Sequence, residues 1–122
     1  PRTPSEDSSL RLRHHEEGQL AVDVYETDKE LVLRSAIAGV KPENLEVFVH
    51  NDMLTVRGKR SVEEESGARA LVRECHWGSF SRSVILPTET DVDGITASLK
   101  DGVLIVRLPK VERSKRIKVR ES

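Results

Sequence analysis

Two clusters in this 122-residue chain carry the residue types of catalysis or metal binding. His14-His15-Glu16-Glu17 offers imidazoles and carboxylates, the donors a divalent metal takes. In an extended segment adjacent side chains point to opposite sides, and no second group of ligands stands elsewhere to face them. The cluster therefore reads as a solvated arm. Cys75-His76 sets a thiol beside a base, the parts of a nucleophile. A strand would send the two side chains apart, and no Asn or Asp sits in a supporting context, so Cys75 reads as a semi-buried structural thiol. Trp77 beside Gly78 reads as a packing aromatic where a loop meets a strand. The glycines make no phosphate cradle, because Gly39-Val40-Lys41 lacks the spacing and the strand-to-helix setting of a P-loop. No catalytic, cofactor-binding or metal-binding residue is assigned, and any activity is expected to be independent of ATP.

What remains is the chemistry of weak apolar contact. Ile117 and Val119 project to the same side of an extended Ile117-Lys118-Val119, beyond the basic linker of residues 110–116. Such a tail cannot bury its side chains on itself. Full burial of each would contribute about 1.5–3 kcal/mol, while ordering the backbone costs roughly 1–2 kcal/mol per residue. The net contact is on the order of millimolar to high micromolar. Repeated around an assembly, such contacts add by multivalency and still allow subunits to exchange. The plain alternative is a frayed C-terminus.

Two more features suit protein contacts. Leu71-Val72-Arg73-Glu74 is a short apolar and charged patch just beyond a long polar stretch, residues 59–70, that contains Glu63-Glu64-Glu65-Ser66-Gly67. A strand on such a tether can add to the sheet edge of another subunit or fold back as a hairpin within one chain. Arg82, inside Phe80-Ser81-Arg82-Ser83-Val84, suits an edge or an interfacial carboxylate as well as it suits an ordinary surface.

The elements that must position these features are short strands. From Leu20 the apolar period becomes two, with Val22 and Val24 on one face and Asp23 and Tyr25 on the other. Strands are expected at 30–37, 45–50, 53–58, 79–86, 95–99 and 103–108. Asn51-Asp52 and Lys100-Asp101-Gly102 serve as hairpin turns, and Pro42, Pro87 and Pro109 act as stops. A further short strand is possible at residues 10–13. No stretch of ten residues keeps a 3.6-residue apolar period. Eight or so strands at this spacing argue for an all-β fold, an antiparallel immunoglobulin-like sandwich with flexible N- and C-terminal extensions.

Composition sets the outer limits. One domain fits the length, and 34% charged residues suit a thin sandwich with solvated faces. A formal net charge of −1 gives no general case for nucleic acid or membrane as partner. The single cysteine excludes an internal disulfide and fits a reducing, cytoplasmic setting. No apolar run approaches the roughly 18–20 residues of a membrane span, and no signal peptide is evident.

Several of these segments together resemble the small heat-shock protein family, built on the α-crystallin domain. Ala36-Ile37-Ala38-Gly39-Val40-Lys41-Pro42-Glu43-Asn44-Leu45 is similar to its proline-marked connection, and Asn51-Asp52-Met53-Leu54-Thr55-Val56-Arg57-Gly58-Lys59-Arg60 to its next hairpin. Gly78-Ser79-Phe80-Ser81-Arg82-Ser83-Val84-Ile85-Leu86-Pro87 resembles a later strand. Ala97-Ser98-Leu99-Lys100-Asp101-Gly102-Val103-Leu104 matches the signature around a hairpin glycine, and Ile117-Lys118-Val119 stands where the family has its I-x-I/V motif. The resemblance divides the chain into an arm (1–18), an α-crystallin domain (19–109) and a C-terminal extension (110–122). The arm is short and polar for the family, and with Pro1 in place of a methionine it reads as the remainder of a longer one or as the mark of a small assembly.

The resemblance implies an ATP-independent holdase that captures partly unfolded clients and associates with itself as homodimers and higher oligomers. It implies that Leu71, Val72, Arg73 and Glu74 are lent to a partner subunit, with Arg82 at the same contact. It also implies that the Ile117 and Val119 tail docks in a groove between residues 45–50, through Val47 and Val49, and residues 95–99, through Ile95 and Ala97. The last position of the tail motif is Val where Ile is usual, which should weaken docking slightly. The competing class is a monomeric sandwich that serves as co-chaperone or adaptor for one folded partner. A stable monomer at tens of micromolar would favour it.

Overall fold

Alternating Leu, Val and Ile can bury one face of a strand only if a second sheet closes over it, and the protein solves this with two four-stranded sheets. The computed structural model describes residues 18–63, 65–112 and 117–121. The strand considered at 10–13 and the His14–Glu17 cluster lie outside them. In chain order the strands are β1 (Gly18–Gln19), β2 (Asp23–Glu26), β3 (Glu30–Ala36), β4 (Leu45–His50), β5 (Met53–Arg60), β6 (Gly78–Ile85), β7 (Thr96–Lys100) and β8 (Val103–Pro109). One sheet runs β1-β6-β5-β4 and the other β2-β3-β8-β7.

The chain is all-β, a sandwich of largely antiparallel sheets. The one departure is β1, which lies parallel to β6 with Gly18 opposite Phe80 and Gln19 opposite Ser81. Only three residues then separate β1 from β2 in the other sheet, so this short piece crosses the edge of the sandwich. Leu20, in the crossing, is buried.

The core forms where inward positions of the central strands meet. Leu31 and Leu33 of β3, Leu54 and Val56 of β5, and Val106 and Leu108 of β8 are each at most 1% exposed. Gly58 faces the same interior, where a Cβ would stand 2.6 Å from Cζ of Phe80 and 2.8 Å from a methyl of Leu45. Glycine is what lets the Phe80 ring fill the core there. The two tight turns follow their sequence signals. Asn51 has φ 56° between β4 and β5, while Asp101 and Gly102 have φ 53° and 76° between β7 and β8, the pattern of a two-residue type I′ hairpin. Pro42 begins a single 3-10 turn, Pro42–Asn44, that leads into β4.

Val24 was expected to share the buried face of Leu20 and Val22. Val22 packs on the core, but Val24 is 42% exposed although its register partner is Leu33. β2 is an edge strand, and no described strand pairs with its outer side.

Candidate functional site

The short crossing between β1 and β2 fixes which edges face each other. With β1 and β2 at one side of the sandwich, β4 and β7 must form the other. On β4 the inward residues are Leu45, Val47 and Val49, paired with Gly58, Val56 and Leu54 of β5. On β7 they are Ala97 and Leu99, paired with Val106 and Leu104 of β8, with Ile95 just before the strand. Leu45, Val47, Val49, Ile95 and Leu99 pack on the core yet stay only half-buried. Ala97 faces inward but remains exposed, because its methyl is too short to close the space between the sheets. Half-buried apolar side chains thus line two outer strands, β4 and β7, each of which has a ladder partner on one side only among the described residues. Val47, Val49, Ile95 and Ala97 were expected to share a groove here; the structure places Val47 and Val49 on β4 and Ala97 on β7, the two outer strands on this side, with Ile95 just before β7. Leu45 and Leu99 belong to the same set and were missed, although the same period of two points to both. Beside Val49 lies a cleft of about 710 Å³ lined by Asn51, Asp52, Leu86, Thr90 and Val92.

The tail remains separate from the sandwich. Ile117 is 80% exposed and Val119 90%. The start of the extension is held, with Lys110 N–H donating to the Lys29 carbonyl and Val111 N–H to that of Glu89. Between them lie residues 113–116, outside the described part.

The long loop joins Arg60 to Gly78, which are paired across β5 and β6. Leu71, Val72, Arg73 and Glu74 all lie exposed in it, Leu71 at 83% and Val72 at 75%. They form no strand in the single chain, so the folded-back hairpin is not made. Cys75 is exposed and free and not semi-buried as its sequence neighbourhood suggested, because the loop stands off the sheets. Trp77 is 40% exposed and shares a small concavity with Val62 and Val72. The His76 ring is held by its Nε2, which donates to the Ser79 carbonyl at 2.9 Å. Among the described residues no three His, Cys, Asp or Glu side chains are grouped to hold a metal.

Arg82 is not on the plain surface. It points inward, opposite Val56, and its guanidinium donates to the Leu20 carbonyl at 3.2 Å in a part-buried setting. It thereby braces the crossing between the sheets. A last surface lies on the outer face of the β4-β5-β6 sheet, where Phe48, Met53 and Ile85 are exposed around the hydrogen-bonded hydroxyls of Thr55 and Ser83, 3.0 Å apart.

A strand sandwich with apolar outer strands, a long loop and an apolar tail defines a binding module, and the comparisons name its kind. Residues 23–121 match the model of the Hsp20/alpha crystallin family. The chain belongs to that family, which comprises stress-response chaperones rather than enzymes. It is 35% identical over 101 residues to small heat shock protein C4 of Rickettsia felis, a match covering 82% of this chain and 62% of that protein. The chain therefore spans less than two thirds of that relative's length. Among solved structures, heat shock protein 16.0 from Schizosaccharomyces pombe superposes with a TM-score of 0.73 at 32% identity, covering 87% of this chain and 99% of that one. A small heat-shock protein from Xylella fastidiosa, described as having a distinct high order structure, gives 0.70 at 32% identity over 84% and 95%. No helix among the described residues is long and apolar enough to cross a membrane.

Proposed function

We propose that the chain is an ATP-independent holdase that binds partly unfolded proteins and keeps them from aggregating, as a homodimer and higher oligomer. The observation that carries this reading is that half-buried apolar side chains on two outer strands and an exposed apolar tail occur in the same molecule. In this reading Val47, Val49, Ile95 and Ala97 line a groove between those strands, and the tail is Ile117 and Val119, 80% and 90% exposed. Exposed apolar surface next to free strand edges is what a non-native polypeptide can recognise without any particular sequence, and backbone pairing supplies the remainder.

In this reading the tail of one dimer docks in the groove of the next, weakly per contact and firmly in aggregate. Residues 71–74 pair with an edge of the partner subunit. The β2 strand suits that role, since it is exposed along its length and no described strand pairs with its outer side. Arg82, on β6 of the facing sheet, braces the crossing that leads into β2 through its bond to the Leu20 carbonyl. Tail and client would then compete for one groove, so tail release regulates access.

The test is light scattering of a heat-denatured client without nucleotide. The chain should suppress scattering at equimolar ratio and above. Unchanged scattering would remove the holdase reading. A tail-deleted dimer should capture more client, and equal capture would remove the competition.

A further inference from the structure

The exposed loop joins the sandwich at one point, and three contacts converge there. Gly78, the first residue of β6, has φ 105°, a left-handed conformation that turns the incoming chain sharply off the sheet. Arg60, paired with Gly78 at the end of β5, reaches past that pair and its Nη1 donates to the His76 carbonyl at 3.1 Å. The same guanidinium stands 6.0 Å over the Phe80 ring, which anchors it to the core. The His76 ring, held by the bond from its Nε2 to Ser79, lies across the face of Gly18. A Cβ on Gly18 would stand 2.6 Å from that Nε2 and 2.7 Å from Cδ2, so a larger residue there would push the exposed ring off its place between Gly18 and Ser79.

From this geometry we infer that Arg60, His76 and Gly18 form a clamp that couples the seating of β1 to the direction in which the loop presents residues 71–74. The inference rests on the proposed lending of that segment to a partner subunit. Residues 71–74 end two residues before His76, so a change in how His76 is held swings the segment as a whole. The far end of two-residue β1 is held by Leu20, whose N–H donates to the Ser81 carbonyl and whose side chain is buried, and the imidazole adds a contact at its first residue, Gly18. When β1 is seated, the ring is trapped between Gly18 and Ser79 and the loop leaves at one angle. When β1 lifts, the ring loses its floor, the loop base loosens, and the segment samples directions that miss the partner. His76 and Arg60 are positioning residues in this scheme, and neither touches the partner.

The experiment is a double-mutant cycle on the full chain with Gly18→Ala and His76→Ser. It is read by the dissociation constant of self-association in sedimentation and by the rate of proteolysis within residues 61–77. Each single change should weaken self-association and speed cleavage by about tenfold. The double change should be no worse than the larger single effect, the signature of two residues acting through one contact. Arg60→Ala should behave like His76→Ser. The thermal midpoint of the sandwich should hold, because the core lies elsewhere. Additive effects, unchanged cleavage, or a thermal loss that accounts for the weaker association would each overturn the clamp. A wild-type chain that stays monomeric would instead remove the strand-lending reading, and the cleavage rates would still judge the clamp.

Discussion

The two long edges of the sandwich are finished in different ways. At the β1/β2 edge the chain itself crosses from sheet to sheet, Leu20 fills the gap, Arg82 donates to the Leu20 carbonyl, and the Ser35 hydroxyl donates to that of Ala21 at 2.8 Å. At the β4/β7 edge no segment joins the two strands directly; the crossings of residues 37–44 and 86–95 enter them from β3 and β6. The inward side chains stop half-buried, and Ala97 leaves an opening where a larger residue would have closed it. The first edge is completed by one chain in covalent continuity with itself. The second has the same apolar floor and no cover, which is the condition for a surface completed by another molecule. Closure thus depends less on how apolar an edge is than on whether one crossing joins its two outer strands.

Substitutions can break this contrast or sharpen it. At the closed edge, Leu20→Ala should cost about 2–4 kcal/mol in urea unfolding, since it empties a buried plug. A loss below 1 kcal/mol would mean that the crossing is not packed as described. Arg82→Ala should cost roughly 1.5–3 kcal/mol, the range for a part-buried bond from a charged donor. Arg82→Lys should recover only part, because an ammonium lacks the reach and planarity of the fork. At the open edge, Val49→Ala should cost about 0.5–1 kcal/mol, for a side chain already partly in water loses less on truncation. A cost equal to that of Leu20→Ala would show that the open edge is closed in solution. The exposed ion pair of Arg107 with Glu30, 2.7 Å apart, lies away from both edges, and its loss through Arg107→Ala should cost under about 1 kcal/mol.

Much of this was legible in the sequence because strands announce themselves locally. The period of two in Leu45-Glu46-Val47-Phe48-Val49-His50 and the Asp101-Gly102 turn set strand, face and hairpin without reference to the rest of the chain. The groove was legible only in pieces. The periods showed which residues face inward, and the resemblance paired Val47 and Val49 with Ile95 and Ala97, but no local pattern says which edges of two sheets oppose. Parallel β1 was invisible, since two residues carry no period and their register depends on the crossing. The convergence of Gly18, Arg60 and His76 was equally hidden, because it joins residues from three distant parts of the chain around a glycine whose missing side chain is the point of contact. The exposure of Cys75 went unread for a related reason: burial in a long loop depends on where the loop stands, not on its own residues.

The open edge bears most directly on the proposed assembly, and the tail offers the cleanest way to test it. Replacing Ile117→Gly together with Val119→Gly alters two side chains that are 80% and 90% exposed, so domain stability should change by less than about 0.5 kcal/mol. Native mass measurement of this variant beside the unaltered chain should show the oligomer falling to a dimer. Identical masses would contradict the account, because the groove between β4 and β7 would then be filled by something other than the tail.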